Sequence, residues 1–228
     1  MPVPERVARR TVGGFAFLIL MLGILLFGPA RTFDYWQAWL YLLVFLVSTG
    51  LITVYLWKND PQLLERRVYA GARNEKERSQ KLIQRVATFA FIAVMIFPGL
   101  DRRFGWSEVP AAAAIAGDVL VALGLLLVFF VFRQNTFAAG TIEVAADHRV
   151  VSTGPYAIVR HPMYAGALVM LFGTPLALGS AWGLLAAVPI TLVIVWRLLD
   201  EERFLAKNLP GYDEYRRRAR YRLLPFIW

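Results

Sequence analysis

Long uncharged runs, separated by short arginine-rich segments, dominate the chain. Val12–Gly28 is 17 residues, Trp36–Trp57 is 22 and Val86–Leu100 is 15. Val109–Phe132 adds 24, interrupted only by Asp118, and Met163–Trp196 is 34. A helix needs about 20 apolar residues at ~1.5 Å each to cross a ~30 Å hydrocarbon core. These runs lack the period-two alternation of a membrane barrel. The pattern predicts an all-α polytopic membrane protein. As one helix the last run would be about 51 Å long, far more than one crossing needs. Gly179-Ser180 near its middle predicts a helical hairpin with arms of about 25 Å. The count is about six transmembrane helices, with five as the alternative, followed by cytoplasmic tail helices. Arg6, Arg9 and Arg10 precede the first run as they would a signal peptide. It ends at Gly28-Pro29-Ala30-Arg31 without a small-residue cleavage site, so a retained span is expected.

Composition agrees with this pattern. Hydrophobic residues make up 58% of the chain and charged residues 18%, where soluble domains sit near 45–50% and about 25%. No cysteine is present, which excludes disulfide scaffolds, cysteine-bound zinc and thiol chemistry. The only histidines are His148 and His161, so a histidine-rich metal site is not expected. The net charge of +9 is distributed asymmetrically. Of 25 Lys and Arg, 22 lie before the first span, between Lys58 and Arg85, between Arg133 and Arg160, or from Arg197 onward. Arg31, Arg102 and Arg103 fall in the alternate connections. The positive-inside rule then puts both termini and the basic loops in the cytoplasm. No nucleic-acid motif accompanies the arginines, so membrane lipids, not nucleic acid, are their expected partners. Pro61–Gln84 reads as an interfacial helix pair, with Leu63, Leu64, Val68 and Tyr69 toward lipid and Arg66, Arg67, Arg73 and Lys76 toward water.

Chemistry concentrates in the last hundred residues. Gly154-Pro155 breaks the chain, and Pro162 biases His161 away from helix, so Tyr156–His161 is expected to be irregular, with amides free for a polar ligand. The hairpin returns the chain to the same side, which puts Arg160 and His161 at one foot and Glu201 and Glu202 at the other. A cation, an imidazole, two carboxylates and the tyrosines Tyr156, Tyr164, Tyr212 and Tyr215 would then meet at one membrane–water interface. That set suits a zwitterionic or cationic ligand. Gly117 and Gly124 lie on the preceding helix, where glycine permits close helix approach or a slot open to lipid.

The constellation resembles a known family. Gly154-Pro155-Tyr156, Arg160-His161-Pro162-x-Tyr164-x-Gly166, Glu201-Glu202, Gly211-Tyr212-x-x-Tyr215 and Arg222-Leu223-x-Pro225 are similar to the isoprenylcysteine carboxyl methyltransferase family of integral-membrane methyltransferases. Phospholipid N-methyltransferases are their cousins. The resemblance runs from about Gly117 to Trp228. It divides one integrated membrane domain into N-terminal helices with a basic loop over 1–116 and a methyltransferase-like catalytic region over 117–228.

The resemblance implies S-adenosyl-L-methionine as cofactor. Gly154, Tyr156, Arg160, His161, Pro162, Tyr164, Glu201, Glu202, Tyr212 and Tyr215 would bind it, with Arg160 and Glu201 as catalytic residues. Losing His161 or Glu202 is expected to weaken cofactor binding by roughly ten- to a hundredfold with the protein still folded. A lipophilic acceptor would enter from the bilayer, and O-, N- and S-methylation all stay open. Membrane sterol reductases, which use NADPH, carry a similar Arg-His-Pro block. Theirs commonly has Asn before the Tyr and an acidic residue after the Gly, where this chain has Met163 and Ala167. A transporter or non-enzymatic scaffold is the remaining alternative. Transport predicts midplane charges, and Asp118 alone qualifies.

Overall fold

A computed structural model describes residues 3–71, 78–140 and 149–228. Its elements are α1 (Glu5–Ala30), α2 (Trp36–Asn59), α3 (Pro61–Val68), α4 (Arg78–Phe104), α5 (Ala111–Gln134), a 3-10 turn (Gly154–Ala157), α6 (Pro162–Ala177), α7 (Gly183–Asn208) and α8 (Tyr212–Arg218). Among the described residues there is no strand, only an isolated parallel bridge between Val159 and Tyr221. Five helices (α1, α2, α4, α5 and α7) are long and apolar enough to span a membrane, and the protein is an integral membrane protein. α6, at 16 residues, is about 24 Å long, so it stops short of a full hydrocarbon core.

Proline and short polar side chains set the helix starts. Pro61 opens α3 at a position where a helix amide has no partner, and the Asp60 carboxylate accepts from the Leu63 amide at 2.9 Å. Pro162 opens α6 in the same way, directly after His161. The bundle core holds Leu22, Leu26, Tyr41, Met95, Val121 and Ala177. Its outer surface is apolar as well: Phe17, Leu43, Leu51, Phe89 and Leu192 are exposed, as lipid-facing residues must be.

Three connections gather at one end of the bundle. The Tyr35 hydroxyl donates to the Leu178 carbonyl at 2.6 Å, and Arg102 donates to the Asp34 carbonyl at 3.0 Å. The Asp101 carboxylate accepts from the hydroxyls of Ser180 and Ser107. Ser180 also takes the Gly183 amide at 2.9 Å, which caps the first turn of α7. Gly179, at φ +70°, provides the left-handed residue of the turn. The 178–182 turn is thereby fixed to the ends of α4 and α2. All the turns carrying Arg31, Arg102 and Arg103 lie at this end, away from α3 and α8.

Three expectations need correction. Leu63 and Leu64 face protein, packed with Val7, Leu56 and Phe132, and not lipid. Arg66 and Arg67 clasp the chain after α5: Arg66 donates to the Thr136 carbonyl at 3.0 Å and Arg67 to the Ala138 carbonyl at 3.2 Å. A short helix followed by a turn brings this arginine pair against another backbone, where carbonyls replace water. Arg73, Lys76 and His148 lie outside the described residues. Second, α7 continues beyond Trp196 to Asn208, so the hairpin arms are unequal. Third, Gly117 and Gly124 close a seam and do not open a slot. A Cβ at Gly117 would meet the Ala177 nitrogen at 2.2 Å, and one at Gly124 the Gly166 carbonyl oxygen at 2.6 Å.

Candidate active site

The site forms where the foot of α6, the far part of α7, α8 and the C-terminal tail converge. Gly154 starts the 3-10 turn at φ +59°, beside the Gln134 side chain at the end of α5. Asn135 donates to the Tyr156 hydroxyl at 2.9 Å, and the Tyr215 hydroxyl donates to the Tyr156 carbonyl at 2.8 Å. These bonds pin the turn between α5 and α8. The tail then pairs with the segment that follows: the Arg160 amide donates to the Tyr221 carbonyl at 2.9 Å and the His161 amide to the Arg222 carbonyl at 3.0 Å. The amides of Ile158 and Val159 both turn back to Pro155. This corrects the expectation of free amides. Irregular backbone buried in protein must find partners, and here the tail and Pro155 supply them.

Glu202 is the electrostatic centre of the assembly. Its Oε1 lies 3.2 Å from Arg160 Nε and 3.2 Å from His161 Nε2, and its Oε2 accepts from Arg222 Nε at 3.0 Å. The Glu202 side chain is 5% exposed and that of Arg160 8%. Burial of this kind requires pairing, and the arrangement joins both hairpin feet to the tail. Arg222 also stacks over the Trp228 ring at 5.1 Å, while the Trp228 carbonyl accepts from the amides of Arg222 and Leu223.

Glu201 points elsewhere. Its Oε2 accepts from the Tyr164 hydroxyl at 2.6 Å. Arg197, one helical turn earlier, donates to the same phenol oxygen at 3.0 Å and to the Gly140 carbonyl at 2.8 Å. Gln80 at the start of α4 joins the group, accepting from Arg197 at 2.9 Å and donating to Asp200.

Between these two groups is a cavity of about 100 Å³. Of the ten residues expected to bind cofactor, eight line it: Tyr156, Arg160, His161, Pro162, Tyr164, Glu201, Tyr212 and Tyr215. Gly154 and Glu202 do not. Gly154 shapes the turn, and Glu202 sits behind Arg160 and His161. Asn135, Phe137, Ala138, Arg149, Met163 and Leu205 also line the cavity and were missed from sequence. They are ordinary loop or helix residues without a spacing that marks them, and they come from the ends of α5, α6 and α7 and the loop before the 3-10 turn.

The cavity holds polar atoms in need of partners. The Tyr212 hydroxyl is buried without a hydrogen bond, and Arg160 Nε, though close to Glu202, lacks hydrogen-bond geometry. Orphaned buried donors are costly and mark a place for a polar ligand. Burial pushes the Tyr156 phenol up to about 12. It also raises Tyr212 and Tyr215 well above the usual phenol range, Tyr212 further through Glu202 and Tyr215 through Tyr156. These phenols stay protonated at neutral pH, so they act as donors and aromatic walls, not as bases.

Comparison with known proteins matches the same region. The family model described as phospholipid methyltransferase matches residues 112–210. A protein-S-isoprenylcysteine O-methyltransferase B of Arabidopsis thaliana is 27% identical over 131 residues, covering 57% of this chain and 59% of that protein. A probable protein-S-isoprenylcysteine O-methyltransferase of Oryza sativa subsp. indica is 29% identical over 139 residues, covering 58% of this chain and 68% of that protein. A Delta(14)-sterol reductase of Mus musculus is 29% identical over 141 residues, covering 52% of this chain and 33% of that protein. The chain thus spans roughly three fifths to two thirds of the length of the methyltransferase relatives.

Proposed function

We propose that this chain, an isoprenylcysteine carboxyl methyltransferase-like member of the integral-membrane methyltransferases, transfers a methyl group from S-adenosylmethionine to a lipophilic acceptor at the cytoplasmic membrane interface. One observation carries the reading: a buried guanidinium, a carboxylate and an unpartnered phenol face one cavity at the joined feet of the α6–α7 hairpin. The donor set fits the cofactor. Arg160 matches its carboxylate, Glu201 its ammonium or ribose hydroxyls, and the Tyr212 hydroxyl gains the partner it lacks. Aromatic faces of Tyr156 and Tyr215 add cation–π attraction worth about 0.5–2 kcal/mol.

Bound there, the cofactor supplies an electrophilic methyl on a sulfonium. The protein's contribution is to orient, to exclude water and to present charge. Ligand pockets commonly measure about 300–1,000 Å³, so a nucleoside-sized ligand seats in the cavity only as its walls part. A carboxylate acceptor is ionised at neutral pH and needs no base, which agrees with a cavity whose tyrosines stay protonated.

Isothermal calorimetry on the purified protein tests this reading. S-adenosylmethionine should bind, and His161→Ala and Glu201→Gln should each weaken it by roughly ten- to a hundredfold, the equivalent of one charge-assisted hydrogen bond. Glu214 is exposed on α8 and pairs with Arg218, so Glu214→Gln should leave affinity unchanged. NADPH is the counter-ligand, because of the sterol reductase similarity. Tight NADPH binding without S-adenosylmethionine binding would exchange methyl transfer for reduction.

The arginine distribution supports a membrane orientation with both termini, α3, α8 and the cavity in the cytoplasm. With no native cysteine, single cysteines at Asn59, Ser107 and Trp228 report sidedness directly. Membrane-impermeant reagent applied outside should label position 107 only. Labelling at 228 from outside would reverse the scheme.

A further inference from the structure

The tail that clasps the site ends in an apolar surface turned away from the protein. Leu224, Phe226 and Ile227 are 52, 87 and 77% exposed, and Pro225 between them is exposed as well. Four consecutive exposed apolar residues are unfavourable in water and mark a contact. Phe226 also takes a left-handed backbone at φ +67°, which a bulky side chain rarely adopts. The turn around it is closed by the amides of Ile227 and Trp228, which donate to the Leu224 carbonyl at 3.2 and 3.1 Å. Strain of this kind persists only where the surrounding structure imposes it, and here it keeps the Phe226 ring outside.

The level of this turn in the bundle identifies what it meets. Leu223, just before it, is buried against Tyr164 and Leu198. Leu168 of α6, Ile194 of α7 and Trp228 pack on the same cluster. Leu168 lies about 9 Å beyond the start of α6, and both it and Ile194 belong to the uncharged run Met163–Trp196. The turn therefore sits beside the apolar part of the bundle and not out in water. Arg217 and Arg220 precede it, both exposed. Among the described residues no acid pairs with either, whereas Arg216 has Asp213 and Arg218 has Glu214. Unpaired guanidiniums followed by an apolar turn fit anionic headgroups lying over hydrocarbon.

We propose that residues 224–227 insert into the leaflet on their side of the membrane, with Arg217 and Arg220 on anionic lipid headgroups, and that this anchor holds the clasp of the cavity closed. Tyr221 and Arg222, directly ahead of the anchor, accept the amides of Arg160 and His161, and Arg222 Nε donates to Glu202. A tail that swings away takes a counter-ion of Glu202 with it. The lipid contact stands without the methyl-transfer reading; only its effect on cofactor affinity rests on that reading.

Nanodiscs that hold one copy of the full chain test the anchor. With no native cysteine, Ile227→Cys and Glu214→Cys each carry a single fluorophore. In discs of equal phosphatidylcholine and phosphatidylglycerol, lipid spin-labelled on its acyl chain should quench position 227 severalfold more than position 214. That contrast should shrink in phosphatidylcholine alone and in an Arg217→Gln/Arg220→Gln background. Leu224→Ser/Ile227→Ser alters exposed side chains and leaves the backbone bonds in place. It should lose the rise in melting temperature that phosphatidylglycerol gives the parent, and bind S-adenosylmethionine severalfold more weakly in these discs. Equal quenching at the two positions would overturn the proposal, as would a phosphatidylglycerol response that survives in the arginine variant. Parent-like melting and affinity in the serine variant would do the same. Shielding of position 227 that needs two copies in one disc would assign the surface to a second copy of the chain instead. A parent that shows the quenching and the melting response but binds no S-adenosylmethionine keeps the anchor and loses the methyl-transfer reading.

Discussion

Glu202→Gln should lower both the melting temperature and the cofactor affinity, and by more than any other single change at the hairpin feet. The carboxylate faces Arg160, His161 and Arg222 at 3.0–3.2 Å. Removing its charge leaves two guanidiniums near each other without a counter-ion, one of them almost wholly buried. Breaking a buried pair in this way costs about 3–5 kcal/mol. This revises the expectation from sequence that the protein would stay intact. Since Glu202 lies behind the cavity wall, its effect on S-adenosylmethionine passes through the placement of Arg160 and His161. Glu201→Gln differs in kind, because Glu201 lines the cavity and accepts a hydrogen bond from Tyr164. It should reduce affinity with about 1 kcal/mol or less of lost stability. Thermal unfolding in detergent beside calorimetry separates the two residues. A further check is Arg222→Ala in the Glu202→Gln background, where the losses should be less than additive because both touch one pair. Equal melting of the Glu201 and Glu202 variants would refute the division of labour.

The fold was legible wherever one physical rule dominated. Uncharged length set the long helices, because a chain cannot leave backbone amides in hydrocarbon without making helix. Gly179-Ser180 was readable as a turn, and the structure shows why: glycine takes the left-handed conformation and the serine hydroxyl caps α7. The meeting of Arg160 and His161 with the glutamate pair followed from the hairpin's return. What sequence left open was rotation about each helix axis. Glu201 and Glu202 are neighbours about 100° apart on a helix, and nothing local says which faces the cavity. The packing of α7 against α4 and α6 decides it. Arg67 was read as a water-facing residue of an amphipathic helix. Its real environment depends on Phe132, Ala138 and Met163, which are distant in sequence. The role of Arg197 is hidden for the same reason, since its partners Gln80, Gly140 and Tyr164 come from three separate segments.

Gly117→Ala and Gly124→Ala should each reduce thermal stability, and Gly124→Leu should prevent accumulation of folded protein. The two glycines of α5 face Gly166 and Gly173 of α6, and each pair is seven residues apart, close to two helical turns. A Cβ on Gly124 would lie 2.6 Å from the Gly166 oxygen and 2.7 Å from the Met170 nitrogen; one on Gly173 would lie 2.8 Å from the Gly117 oxygen. The obstacles are backbone atoms, which cannot swing aside as a side chain does, so the helices must separate. Overpacking costs about 1–3 kcal/mol where side chains can adjust, and this seam gives them less room. The effect reaches the site because the seam sets where α6 begins. Moving α6 away from α5 pulls His161 and Tyr164 from Glu202 and Glu201, and Tyr156 from Asn135. Alanine variants should therefore lose S-adenosylmethionine affinity as well as stability, although no seam glycine touches the cavity. Gly23 of α1 is the matched control: a Cβ there meets nothing within 4 Å, and alanine is the better helix former by about 1 kcal/mol. Gly23→Ala should melt at or above the parent temperature, with affinity unchanged. Melting curves that ranked Gly124→Ala with Gly23→Ala would mean that the α5–α6 seam does not hold the α6 foot in place.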